Sequence, residues 1–314
     1  MRRFIFLYLL VLAISLLIGR LTFNPLNMNG LARTILVDVR LPRIVGASLV
    51  GASLSVAGLS FQNVFRNHLA GPNILGVTSG AAFGAVLAIL LFTFNPYLVQ
   101  TLAFVFGIAA VFIAYRTSRL VGDDIVGLLL AGIAVSAFFS ALVGMAKYLA
   151  DPYDQLPTMV FWLLGSFAGI RWADLKFFSI PMVIGIIGLT TLRWVFNILS
   201  LGDDEAKALG VNVSFYKKLI IGLATLAVSA ATAIGGIIGW VGLVSPHIAR
   251  LLVGYDNRKL VPAAVFTGAI LLVICDDVAR TLTSAELPVG VVTSLVGAPI
   301  LVAILSRRRE HAEG

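Results

Sequence analysis

Between Leu69 and Tyr115 the chain carries no charged residue. Such a run is about twice what one bilayer-spanning helix needs. In hydrocarbon every backbone N–H and C=O must find its partner inside the segment, so the run has to fold as helices broken by a turn. Comparable uncharged runs recur at Phe4–Gly19, Ile44–Phe65, Leu219–Ala249, Leu260–Cys275 and Leu287–Ser306. A soluble fold could not hide this much apolar surface: 59% of residues are hydrophobic, and mean hydropathy is +1.01. The 30 glycines fit the same class, because glycine is commoner in membrane helices than in soluble ones. The expected fold is an all-α polytopic membrane protein, residues 1–314 forming one transmembrane domain without a soluble appendage.

Positive charge sets the orientation. Arg2 and Arg3 precede the first apolar run as in a signal peptide, but no small-x-small cleavage site follows, so a retained helix with a cytosolic N-terminus is expected. Leu21–Val39, with Asn24, Pro25, Asn27, Asn29 and Gly30, reads as an external connection. Arg66, Asn67 and His68 close the second helix in the cytosol. Asn95 and Pro96 divide the long uncharged run, and Arg116 and Arg119 return it to the cytosol. Asp123 and Asp124 start a fifth helix, Ile125–Ala146. Pro157–Ile170 is too short for a full span and reads as an interfacial helix, and a sixth span is expected over Leu175–Ile198. Gly235, Gly236 and Gly239 split the run Leu219–Ala249, and Arg307, Arg308 and Arg309 hold the C-terminus inside. The sum is about ten transmembrane helices with both termini cytosolic. The net charge of +8 would otherwise suggest nucleic acid, but its distribution follows topology, so the expected surroundings are membrane lipid and no nucleic acid.

The residues for covalent chemistry are missing. Cys275 is the only cysteine, and His68, His247 and His311 form no metal-ligand spacing. No Gly-Lys pair occurs, so there is no Walker A loop, and ATP-driven work would require a separate subunit. The chain is therefore expected to be no enzyme and to hold no cofactor of its own.

Two groups of polar residues stand out. The first is the island Leu199–Ser214, expected in the cytosol, with Asp203, Asp204, Glu205 and Lys207 close together. Asp203 and Asp204 can cap a short helix, Gly210 can end it, and Ala206 and Leu209 would share a small apolar face suited to a groove on another protein. An ordinary solvated loop helix is the alternative. The second is Arg40, Arg43 and Arg280, placed against the charge bias at external helix ends. They suit docking of an external acidic partner, or local pairing with Asp38, Asp276 and Asp277. Glu286 is expected to orient Arg280, and His247 to be a hydrogen-bonded packing residue. Gly80 with Gly84, and Gly235 with Gly239, are small-xxx-small pairs that permit close helix contact.

Several segments, in order, resemble the FecCD family of importer permeases: RLPR at Arg40–Arg43, FRNHLAGPNILGVTSGA from Phe65, LLLAG from Leu128, FWLLGSFAG from Phe161, GWVGLVSPHIARLLVG from Gly239 and AELPVGVVTSLVGAP from Ala285. The resemblance implies a type II ABC importer permease fold in the cell inner membrane. It implies a homodimer with a substrate path on its axis, two ATP-binding subunits holding ATP and Mg below, and an external substrate-binding protein above. Arg40, Arg43 and Arg280 match the arginines that receive the binding protein. Gly202, Asp203, Asp204, Glu205, Ala206, Leu209 and Gly210 match the coupling helices, and Asp124, Ile125 and Val126 the cytosolic gate. His68 stands where proline is usual, and Ser245 where an apolar residue is. The implied substrate is a metal chelate, first an iron(III)-siderophore, with cobalamin, haem and molybdate or tungstate open. An ion-coupled secondary transporter is the competing class, but it would need an ionisable residue at mid-span; Arg193, near a cytosolic end, is the nearest approach.

Overall fold

The computed structural model describes residues 1–19, 30–92, 95–122 and 125–313, and among them only helices and their connections occur. The organising element is α3, Leu41–Val64, almost every residue of which is buried. Its composition explains this: glycine, alanine and serine alternate with larger apolar residues on all sides, and a helix without a polar face is enclosed by others. Around it pack α8 (Trp172–Thr191), α11 (Val213–Gly235), α12 (Val241–Val253) and α13 (Asn257–Thr281).

Glycines set the closest approaches. A Cβ added at Gly51 would lie 2.3 Å from the Gly268 carbonyl oxygen, and one at Gly268 would lie 2.3 Å from that of Gly51. Beside this crossing of α3 and α13, the Ser55 hydroxyl donates to the Ala264 carbonyl at 2.7 Å. Gly80 and Gly84 similarly let α4 (Val77–Leu91) meet α5 (Pro96–Val121), facing the Phe106 and Leu102 carbonyls. The pair Gly235 and Gly239 does not act this way. Gly235 ends α11, and Gly239 lies in the bent link to α12, where Gly236 and Trp240 take positive φ of 69° and 67°.

Among the described residues six helices are long and apolar enough to cross a membrane: Ala32–Val64, Pro96–Leu120, Ile125–Leu149, Trp172–Thr191, Val213–Gly235 and Asn257–Thr281. Shorter apolar helices cover Val77–Leu91, Val241–Val253 and Val289–Ile304, the last within α14 (Val289–Glu313), and α1 is Arg2–Leu17. The turn expected at Asn95 and Pro96 is present, with the Asn95 side chain accepting from the Tyr97 N–H. Of the stretch Pro157–Ile170 only the first part is helical: α7 is Gln155–Leu163, and a turn follows it.

Three boundaries change the reading of the topology. Part of the presumed external connection is helical: α2 (Gly30–Thr34) runs through a π-helical stretch, Ile35–Arg40, straight into α3. Pro42 lacks the N–H for a regular α bond, and the wider π register just ahead accommodates it without ending the helix. Asn24, Pro25, Asn27 and Asn29 lie outside the described residues. The sixth expected span is two elements, α8 and α9 (Arg193–Leu201), parted at Leu192. Finally, α11 begins at Val213, which puts Lys217 and Lys218 inside its first turns.

Candidate functional site

Charged and amide side chains gather at the two ends of α3. At the end expected to face outward, Arg43 is buried and its guanidinium is fully engaged. Nε and Nη2 hold Asp276 in a two-pronged pair at 2.9 Å, and Nη1 donates to Glu286 at 2.7 Å. Arg40 Nη1 donates to the Leu16 and Leu17 carbonyls at 2.7 and 3.3 Å, capping the C-terminal end of α1, where a cation complements the exposed carbonyls. Arg280 pairs with Asp277 and donates to the Ser15 hydroxyl at 2.9 Å, and that hydroxyl in turn donates to Asp277 at 2.7 Å. The three arginines thus share one end of the molecule, each only 5 or 6% exposed, and they bind α1, α3 and α13 together. The local pairing considered from sequence is present for Arg43 and Arg280. Glu286 does not orient Arg280; it binds Arg43, because the loop after α13 folds back over the start of α3.

At the opposite end, α10 (Asp203–Ala208) is the short helix of the polar island. Gly202, with φ of 141°, admits the chain, and Gly210, with φ of 80°, ends it in a Schellman turn: Val211 N–H reaches the Ala206 carbonyl at 3.0 Å. Asp203 and Asp204 do not cap the helix, since Gly202 occupies the cap and offers no side chain. Asp203 is drawn elsewhere. It accepts from Arg66, just after α3, and from Lys217 Nζ at 2.6 Å on α11. Burial pushes the Asp203 carboxyl up, but the Lys217 hydrogen bond and the charges of Lys217, Arg66 and Lys207 outweigh it and hold it below the usual carboxylate range. Lys207 pairs with Asp204 at 3.1 Å.

The apolar face expected of Ala206 and Leu209 is not shared. Ala206 is fully buried against the rest of the chain, whereas Leu209 is 61% exposed, with Ala208 and Leu201 also outward. Glu205 is exposed beside them. The short helix therefore stands on Ala206 and presents Ala208 and Leu209.

Further polar side chains meet at this end. Arg250 Nη2 donates to Gln62 at 2.8 Å, His247 Nε2 lies 3.0 Å from the His68 carbonyl, and Asn63 faces Asn257 with an amide contact of 3.2 Å. Asn197 of α9 donates to Asp256 at 2.8 Å and accepts from the Asn257 N–H at 2.8 Å. The signal for them was the appearance of Gln62 and Asn63 at the end of an otherwise apolar helix. His247 is buried and hydrogen-bonded, as a packing histidine should be. Ser245 returns its hydroxyl to the Val241 carbonyl, which resolves its placement among apolar neighbours.

Of the three expected gate residues, Asp124 lies outside the described residues. Ile125 begins α6 (Ile125–Leu149) and is half-buried, and Val126 is 59% exposed. Val126, Leu130 and Ile133 form an outward apolar stripe on that helix.

Comparison with known proteins matches residues 6–307 to the FecCD transport family. The Haemophilus influenzae molybdate import system permease protein MolB is 41% identical over 278 residues, covering 88% of this chain and 82% of the relative. The Yersinia pestis hemin transport system permease protein HmuU is 38% identical over 324 residues, covering 98% and 96%. A solved inward-facing structure described as a metal-chelate type ABC transporter superposes with a TM-score of 0.92 at 39% identity, over 97% of each chain. PsaBC from Streptococcus pneumoniae, at 20% identity and a TM-score of 0.59, shares the fold. With nearly its whole length matched and its helices arranged as in these permeases, the chain belongs to the FecCD transport family.

Proposed function

We propose that this chain is the permease subunit of an ATP-driven importer of metal chelates, with an iron(III)-siderophore as its first substrate. The observation that carries the reading is the fixed island: α10 is clamped to the end of α3 by Asp203 yet presents Ala208 and Leu209 outward, as a contact that transmits force to the spans requires. Two copies would face each other across a path flanked by the α6 stripe, with Val126 near its cytosolic constriction. Ten helices, α1, α3 to α6, α8 and α11 to α14, would then cross the membrane, the shorter ones included. Two ATP-binding subunits would seat on the islands.

A binding protein would dock at the Arg40, Arg43 and Arg280 end. Since Arg43 already holds Asp276 and Glu286, an arriving acidic side chain would exchange with the more exposed Glu286 instead of meeting a bare guanidinium. Metal-chelate cargo is supported by the structural relative at 39% identity, and iron chelate by the Helicobacter pylori iron chelatin permease at 39%. The 41% identity to a molybdate permease favours an oxyanion as the second reading. Haem and cobalamin remain further alternatives through their permeases. The test is elemental and organic mass spectrometry of ligand bound to the cognate binding protein: iron with a siderophore supports the reading, molybdenum or tungsten selects the second, and neither refutes both.

A further inference from the structure

We propose that a groove between α1, α3, α8 and α13 is a phospholipid site that holds one acyl chain of the outer leaflet. The groove encloses about 340 Å³. α1 packs chiefly on α13 and α8 on α3 and α11, so α3 is left as a floor between α1 and α8. The outward faces beside it are hydrocarbon: Phe6 and Leu9 on α1 are 70% and 57% exposed, and Phe177 and Ile180 on α8 are 69% and 60% exposed.

The dimensions identify the occupant. Along the floor the groove runs from Leu41, beside the arginine cluster, to Ala52, a rise of about 16 Å at helical spacing. That is roughly half the thickness of the hydrocarbon core, the depth of one leaflet. The lining is apolar apart from Tyr8 and Ser48. At the mouth, Arg40, Arg43 and Arg280 are matched by Asp276, Asp277 and Glu286, so charge does not select the headgroup.

The test is native mass spectrometry of the full transporter after extensive detergent washing. Wild-type protein should retain about one phospholipid per permease copy, phosphatidylethanolamine and phosphatidylglycerol alike. Ala52→Phe, which fills the inner part of the groove, should abolish retention. If Ala52→Phe fails to fold, Val45→Phe narrows the same groove from higher on α3 and serves in its place. No lipid on wild type, or equal retention in the filled and unfilled proteins, would overturn the proposal.

Discussion

Arg66 donates to Asp203, tying the turn that ends α3 to the short helix α10. Arg66 holds a left-handed backbone, with φ of 49°, to make this reach. Because α3 is enclosed by α8, α11, α12 and α13, a push on α10 is delivered to the centre of the bundle and not merely to a loop.

Replacing Asp203 by Asn should therefore uncouple the ends of the machine. Transport should fall about tenfold while the ATPase stays bound and hydrolyses ATP, because partly exposed ion pairs of this kind contribute only about 0.2–1 kcal/mol to stability. Uptake and ATPase assays on the same preparation check this. The Asp203 carboxyl is held low in the folded protein, so its contribution is present above the ordinary carboxylate pKa and is lost as pH falls through the folded value. The stabilities of wild type and Asp203→Asn should differ at pH 7 and converge in strong acid.

Leu209→Asp should release the ATPase on purification and leave the permease folded, since Leu209 is exposed. Ala206→Asp should instead lower the yield of folded permease, since Ala206 is fully buried. Size-exclusion profiles of the two variants distinguish contact from scaffold.

Arg43→Ala should destabilise the protein by about 3–5 kcal/mol, the usual result of leaving a buried carboxylate without its cation. Adding Asp276→Leu to Arg43→Met should recover much of that loss, as apolar replacement of a buried pair often does. Thermal unfolding in detergent reads both. Reversing the charge of Arg43 would therefore report on folding before it reported on docking. Glu286→Gln is the cleaner probe of the outer face, expected to change stimulation of ATP hydrolysis by the binding protein without loss of fold.

Gly58→Ala should prevent accumulation of folded protein, because its Cβ would fall 1.7 Å from the Gly242 carbonyl oxygen. Gly222→Ala, with nothing within 4 Å, should be tolerated. Expression levels of the two variants test whether backbone proximity or helix propensity governs these glycines.

Much of this architecture was legible in the chain. Uncharged runs, Asn95 with Pro96, and Gly210 located helices and turns, because hydropathy and backbone conformation are local properties. The break at Leu192 was not legible, as no proline or glycine marks it. Nor was the choice of Glu286 for Arg43, which depends on how a distant loop folds over α3. Ala206 and Leu209 lie three apart and so look like one face, but the helix ends at Ala208, and Leu209 sits at its C-cap, outside the regular helical spacing. The π-helical stretch ahead of Pro42 similarly depends on tertiary enclosure, which lets the chain remain helical where local rules expect a start.

The central claim is that work done by ATP-binding subunits moves a metal chelate through this permease. Its most direct test is uptake of radioactive iron(III)-siderophore by proteoliposomes containing the permease, its ATPase and its binding protein. The account predicts uptake that requires ATP and all three components, persists when ion gradients are collapsed, and is lost in Leu209→Asp. Uptake driven by a proton or sodium gradient without ATP would contradict it.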